Sequence, residues 1–289
     1  MTDSDKYPVE SDRRRFVKGV VGSSALAGVG ITSAVTADSL TTPAGAGGGP
    51  TQYMGIERVG GPAPRGMPQI PIEIDEEGAL RGVWPEVETE ETSTGAEIQV
   101  AEAEIAGTTY STTWYQYCGS QTSPAVQPDA DRDNYFRYAG SSQYDWQNEA
   151  EFSGGDKVLV EHFDDYQEFG TGVGDAGLGK PAQGTWRSQD LEPKNQLSIQ
   201  IIRSTAIEEA AQDDDWLSET TDQGFIAYLN SCTHYCCVPG FQMHAGSAGY
   251  GAENLSYCNC HQSVYDPFTV IQQQFVALPR PGDTVGGQG

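Results

Sequence analysis

The sequence predicts a mainly β, antiparallel and loop-rich fold, preceded by one N-terminal transmembrane or export segment. Three observations point to the β body: aromatic residues make up 10% of the chain, Gly (35) and Pro (16) are abundant, and long apolar helical periodicities are missing. A length of 289 residues allows one or two domains with a proper core. The net charge is −25, from 41 acidic against 16 basic residues. Such an acidic surface excludes nucleic acid and anionic lipid as partners. The acids run through every segment instead of gathering in a tail, which predicts a protein adapted to high salt, where ions screen their mutual repulsion.

The N-terminal region, residues 1–37, holds Arg13, Arg14, Arg15, Phe16, Val17 and Lys18, then an uncharged run from Gly19 to Ala37. Two arginines, any residue, Phe, an aliphatic residue and Lys resemble a twin-arginine (Tat) export signal, with Asp12 standing where that pattern has Ser or Thr. At about 1.5 Å per residue the uncharged run just spans a ~30 Å hydrocarbon core, so the segment is a cleaved signal or a retained anchor. "VTA" before Asp38 is compatible with cleavage. Either way the expected location is the cell membrane, with the arginines inside and the rest on the extracytoplasmic face. That side permits disulfides.

Residues 38–50, "DSLTTPAGAGGGP", read as a flexible linker. Residues 51–182 are acidic and then aromatic-rich, an extension or insertion of the β domain whose fold the sequence leaves open. Within them "VWPEVETEETSTGAEIQVAEAEIAG" is an edge strand or a solvated arm, and "DKVLVEHF" (156–163) is a strand candidate. Residues 183–289 contain strand candidates at 196–204 and 224–232. Between those two, "AIEEAAQDDDW" predicts one short helical turn and then an acidic loop. "FVALPRP" (275–281) predicts a last strand stopped by prolines.

Five of the six cysteines fall in two short segments, each beside a histidine. The first, "NSCTHYCCVPGF", spaces Cys232-x-His234 with Cys237 further on. The second, "YCNCHQSVYD", spaces Cys258-x-Cys260-His261. Two thiolates and two neutral imidazoles at fixed spacing form a metal-ligand set. Structural zinc is one occupant of Cys232, His234, Cys258 and His261. Zinc pairs, however, usually run C-x2-4-C and H-x3-5-H, and one zinc ion leaves the two neighbouring cysteines unexplained.

The two segments resemble the cluster loops of the Rieske iron–sulfur family, C-T-H-x-G-C and C-x-C-H-G-S, over residues 232–237 and 258–263. The resemblance implies a Rieske-type antiparallel β domain with a two-loop subdomain, here residues 232–241 and 257–268, that binds a 2Fe-2S cluster. By position, Cys232 and Cys258 are the ligands of one iron, His234 and His261 those of the other, and Cys237 and Cys260 form a disulfide between the loops. Ser263 and Tyr265 match the family's hydroxyl donors to a bridging sulfide and to a ligand cysteine. Exchanging two thiolates for imidazoles, and hydrogen bonds to sulfur, both raise the reduction potential. These features place the pattern with the high-potential, quinol-oxidising branch.

Three departures stand out. Cys236 and Gln262 replace loop glycines, which often permit positive φ. The family's Gly-Pro-Ala-Pro turn is not evident after the second loop, where "VALPRPGD" (276–283), with Pro279 and Pro281, is the candidate. Cys118 and Cys236 are left over and are candidates to pair. His162, His244 and Met243 read as packing residues, and "DADRDN" (129–134) as a solvated turn, because it lacks the Gly and Glu of an EF-hand loop.

The expected function is that of the Rieske electron-transfer subunit of a quinol-oxidising cytochrome bc-type complex. Its implied partners are a cytochrome b-type membrane subunit, quinol in contact with His234 or His261, and a cytochrome c or copper-protein acceptor. Enzymatic turnover belongs to that complex. The alternatives are a Rieske subunit of an exported molybdenum oxidoreductase, of nitrate reductase or arsenite oxidase type, and a zinc-stapled binding module.

Overall fold

The computed structural model describes residues 50–91 and 97–276. The signal, the linker up to residue 49 and most of the 276–283 turn candidate lie outside the described residues. Among the described residues no helix is long and apolar enough to cross a membrane.

The chain is mainly β and its strand pairs are antiparallel. From the N-terminus the strands are β1 (Pro50–Gly60), β2 (Met67–Ile70), β3 (Ile72–Ile74), β4 (Leu80–Gly82), β5 (Val87–Glu91), β6 (Glu97–Ile105) and β7 (Thr108–Ser111). After a run of short 3-10 turns follow β8 (Phe136–Tyr138), β9 (Lys180–Trp186), β10 (Leu197–Arg203) and β11 (Phe225–Leu229). The last are β12 (Gly240–Phe241), β13 (Ser256–Cys258) and β14 (Ser263–Val276). Nine of them make one sheet in the order β12-β13-β14-β1-β2-β11-β10-β9-β8. The smaller sheets are β3-β4 and β5-β6-β7.

This order bears on the domain boundary. A division between residues 182 and 183 cuts through β9, and β1, β2 and β8, from the region before it, share the sheet with β10 and β11. The acidic stretch 83–107 contributes to the three-stranded meander, since Thr, Val and Ile at alternate positions suit a pleated, half-solvated surface.

The strand candidates at 196–204 and 224–232 form β10 and β11, paired in register from Ile199 opposite Leu229 to Arg203 opposite Phe225. Both are almost wholly buried, which their unbroken apolar runs anticipate. "DKVLVEHF" does not form a strand. Residues 155–158 hydrogen-bond to β8 around an isolated bridge, Lys157 opposite Arg137, Leu159 bridges Ala79, and the chain then turns into a 3-10 helix, Val160–Phe163, with Val158 and Phe163 buried. In the turn His162 Nδ1 lies 2.9 Å from the Tyr138 hydroxyl, and burial lowers the histidine's pKa.

Between β10 and β11 the chain forms two helices rather than one turn. They are α1 (Thr205–Ala210), capped by Ser204, and α2 (Asp215–Thr220), where the Asp214 carboxylate accepts from Leu217 N–H. The second helix exists because Trp216 and Leu217 are buried, and the Trp216 indole donates to buried Gln69 at 2.7 Å. The last strand starts at Ser263, well before the predicted 275. Its register against β1 jumps from Val270 to Asp266, and Pro267, with no N–H to give the ladder, sits in that bulge. Asp266 steadies it by accepting from Phe268 N–H and Thr269 Oγ1.

The core is aromatic. Trp186 is fully buried and meets Trp84, Tyr115 and Phe136 edge-on, with ring centroids 5.2–6.4 Å apart. Such contacts combine large area burial with quadrupole complementarity. Trp186→Ala is expected to cost about 3–5 kcal/mol in urea unfolding. Ile271→Ala, at a side chain 37% exposed, is expected to change stability by less than about 1 kcal/mol.

Candidate functional site: a thiol and imidazole nest

The first Cys/His loop connects β11 to β12, and the second is the turn of the β13–β14 hairpin. Both are built alike. Cys232 C=O accepts from Cys236 N–H (2.8 Å), and Cys258 C=O accepts from Gln262 N–H (2.9 Å). Each five-residue turn ends on a left-handed residue, Cys236 at φ +60° and Gln262 at φ +64°. These are the two positions where glycine was expected. The loops therefore keep the glycine conformation without glycine, against the Cβ–carbonyl repulsion that disfavours it.

Two disulfides brace the loops. Cys237 bonds Cys260, joining loop to loop across a Cα–Cα distance of 6.5 Å. Cys236 bonds Cys118, whose Sγ also lies 3.4 Å from the Cys232 carbonyl oxygen. Cys118 thus does pair with Cys236, and the segment before β8 becomes a collar around the first loop. Tyr117 adds to the collar by donating to Ser231 C=O at 2.7 Å.

The two remaining cysteines, Cys232 and Cys258, are free and fully buried. They share a hydrogen bond, which favours one negative charge on the pair over two. The pKa of Cys232 is lowered by the bond from Cys258, against the cost of burial, and further by the Tyr265 hydroxyl and the N–H groups of His234 and Tyr235. Cys258 is correspondingly raised, by that shared bond and by burial. Tyr265 lies 2.9 Å from Cys232 Sγ. Burial, then the neighbouring sulfur, raise its pKa, so it remains an O–H donor to that sulfur.

The imidazoles sit at the outer end. The His234 and His261 rings are 4.8 Å apart at 78°, with His261 exposed and His234 half-buried. Tyr235, 66% exposed, lies against both rings. His234 Nδ1 is buried with no hydrogen-bond partner, as is His244 Nε2 outside the nest.

The potential metal donors fall into groups. Among the described residues, the only three potential ligand atoms that converge within 4.8 Å of one another are the sulfurs of Cys237, Cys258 and Cys260. Two of these are consumed by a disulfide and are no thiolates. The thiols pair with each other and the imidazoles with each other.

A Gly-Pro-Ala-Pro sequence does occur, at residues 61–64, ahead of both loops instead of after them. The β1–β14 pairing, Gly60 opposite Val264, lays this turn on the second loop. Ala63 N–H donates to Ser263 Oγ (3.2 Å), which leaves the serine's own proton free to donate. Thr233 Oγ1 donates to Arg65 C=O (2.6 Å), so the turn touches both loops. Gly61 is left-handed (φ +77°), and a Cβ there would strike the Gln262 carbonyl. The motif was readable in the sequence, but its place in chain order hid it.

The other candidates stay out of the nest. Met243 packs on Gly240 and His244 packs against Tyr257 at 6.1 Å. In 129–134, Asp133 accepts from Tyr135 N–H and pairs with Arg137. No protein-family model, curated protein or solved structure matches this chain.

Gly61→Ala is expected to lower unfolding stability by more than about 1 kcal/mol, while Gly246→Ala, with open space around its Cα, stays near wild type. Gln262→Gly is expected to stabilise the protein by up to about 1 kcal/mol through relief of the left-handed strain, read from the same urea transitions.

Proposed function

We propose that this chain is the Rieske-type electron-transfer subunit of a quinol-oxidising cytochrome bc-type membrane complex. The observation that carries the reading is the segregation of donors. Two buried thiols lie on the inner side under Tyr265, and two imidazoles lie on the outer side, one with an orphaned Nδ1. A 2Fe-2S cluster held by Cys232, Cys258, His234 and His261 supplies a reversible one-electron couple, with a potential above that of an all-cysteine cluster because two anionic ligands are replaced by neutral ones.

The chain's own residues supply the rest. Tyr265 and Ser263 offer O–H groups that favour the more negative state of the site. The Gly61–Pro64 turn and the collar help to keep water from the sulfurs, since Cys232, Cys258, Ser263 and Tyr265 are all fully buried. The imidazole edges face outward, where a substrate hydroxyl can meet them. From Gln223 to Pro279 the only charged residues are Glu253 and Asp266, in a chain of net charge −25. Tyr235 (66% exposed) and Val238 (41%) project from the first loop of this uncharged stretch. A docking face of that kind suits an apolar partner surface at ionic strengths that screen charge steering.

The test is electron paramagnetic resonance of the dithionite-reduced, iron-matured protein. The expected result is a 2Fe-2S signal that is lost in Cys258→Ser and in His261→Ala; bound zinc with no such signal would refute the reading. Tyr265→Phe is expected to retain the signal and to lower the potential by on the order of 60 mV, the one-electron equivalent of about 1.4 kcal/mol. Voltammetry of the two proteins checks this.

A further inference from the structure

Three sulfur atoms lie closer together than a single staple needs. The Sγ atoms of Cys237, Cys258 and Cys260 are all within 4.8 Å of one another, yet only Cys237 and Cys260 are bonded. Cys258 keeps a free thiol, buried beside that bond. Thiols and disulfides exchange when a sulfur attacks one end of an S–S bond and displaces the other, and the reaction needs no external oxidant or reductant. Burial blocks outside reagents at Cys258 but does not block a neighbour already in the nest.

The geometry points to Cys237, Cys258 and Cys260 as one thiol–disulfide exchange centre, in which an unligated Cys258 displaces Cys260 from Cys237. In this step the Cys258 Sγ–Cys237 Sγ bond forms and the Cys237 Sγ–Cys260 Sγ bond breaks. Cys258 attacks as its thiolate, the minor form of the pair because the bond it shares with Cys232 favours charge on Cys232, and the electron pair leaves on Cys260 Sγ, which takes up the proton that Cys258 gave up. Attack at Cys237 is the productive direction for two reasons. Cys258 and Cys260 are only two residues apart in a tight hairpin turn, so a bond between them would distort it. Cys260 is also exposed, so the departing sulfur is solvated as it leaves.

The product keeps two disulfides and two thiols, but the free pair becomes Cys232 and Cys260. Cys258 is then spent in a bond and cannot bind metal. A ligand on Cys258 therefore preserves the native pairing, and the site has to be filled before, or together with, closure of the Cys237–Cys260 bond. The statement about metal rests on the cluster reading; the exchange itself rests only on the three sulfurs. The second disulfide serves as an internal reference, because Cys118 and Cys236 take no part.

The experiment uses the full chain, purified without reductant, in iron-free and iron-matured forms. Each is incubated under native conditions, then at successive times unfolded in denaturant containing N-ethylmaleimide, so that every free thiol is labelled, and mapped by peptide mass spectrometry. In the iron-free chain label is expected to fall at Cys258 and rise equally at Cys260, with a Cys237–Cys258 linked peptide appearing and the Cys118–Cys236 peptide unchanged. The iron-matured chain is expected to show neither change, and Cys258→Ser to leave Cys260 unlabelled, while Cys232→Ser still exchanges. Label confined to Cys232 and Cys258 throughout would overturn the inference. So would exchange that depends on Cys232, or loss of the Cys118–Cys236 bond at the same rate, which would mean general unfolding. Exchange in a chain that never acquires a 2Fe-2S signal would sink the cluster reading and leave the exchange centre standing.

Discussion

The antiparallel pairing of β1 with β14 is the constraint on which the rest of the site depends. It runs from Pro50 opposite Val276 to Gly60 opposite Val264 and brings the start of the described chain onto its end. Because Gly60 lies opposite Val264, the Gly-Pro-Ala-Pro turn that follows falls on the second Cys/His loop. Gln273, on β14, then holds the exit of the turn by accepting from the Tyr53 hydroxyl and from Gly66 N–H. A slip of one residue would send every β1 side chain to the opposite face. The burial of Thr51, Tyr53 and Gly55 on one face of β1, with Gln52 exposed on the other, resists such a slip.

On that base the nest is held from three sides. The inter-loop disulfide joins the two turns, the Cys118–Cys236 disulfide ties the collar to the first, and the N-terminal turn covers the second. Crosslinks over long loops restrict the unfolded chain most, and Cys118–Cys236 spans 118 residues, so it is expected to stabilise more than the 23-residue Cys237–Cys260 link. The collar also offsets the strain at one of the two left-handed residues, because Cys236 is fixed covalently where a glycine would simply be permissive.

The acidic composition and the neutral nest belong to one electrostatic arrangement. Two thiols under one hydroxyl carry negative charge only if it is shared and hydrogen-bonded, and Tyr265 with the loop N–H groups provides those bonds. Keeping carboxylates out of almost all of residues 223–279 avoids adding repulsion at the place where anionic sulfur must stay buried. Among the other described residues no Asp or Glu is buried, and salt screens their charge.

The sequence by itself determined the parts whose chemistry is local. The β character, the strands β10 and β11 and the two Cys/His loops are legible because periodicity and spacing are local, whereas the Cys237–Cys260 partnership and a Tyr265 contact to a ligand cysteine are legible only through the resemblance of the two loops to Rieske loops. Tertiary structure alone decided what depends on distant segments. It placed Cys118 on Cys236, turned "DKVLVEHF" into a 3-10 turn under the core, and gave Trp216 a helix by offering it a pocket beside Gln69. It also put residues 61–64 on a loop two hundred residues later, through hydrogen bonds between strands whose order in space differs from their order in the chain. Local spacing carries no information about such pairings, since they arise from the register of β1 against β14 and from the area buried when the sheet closes.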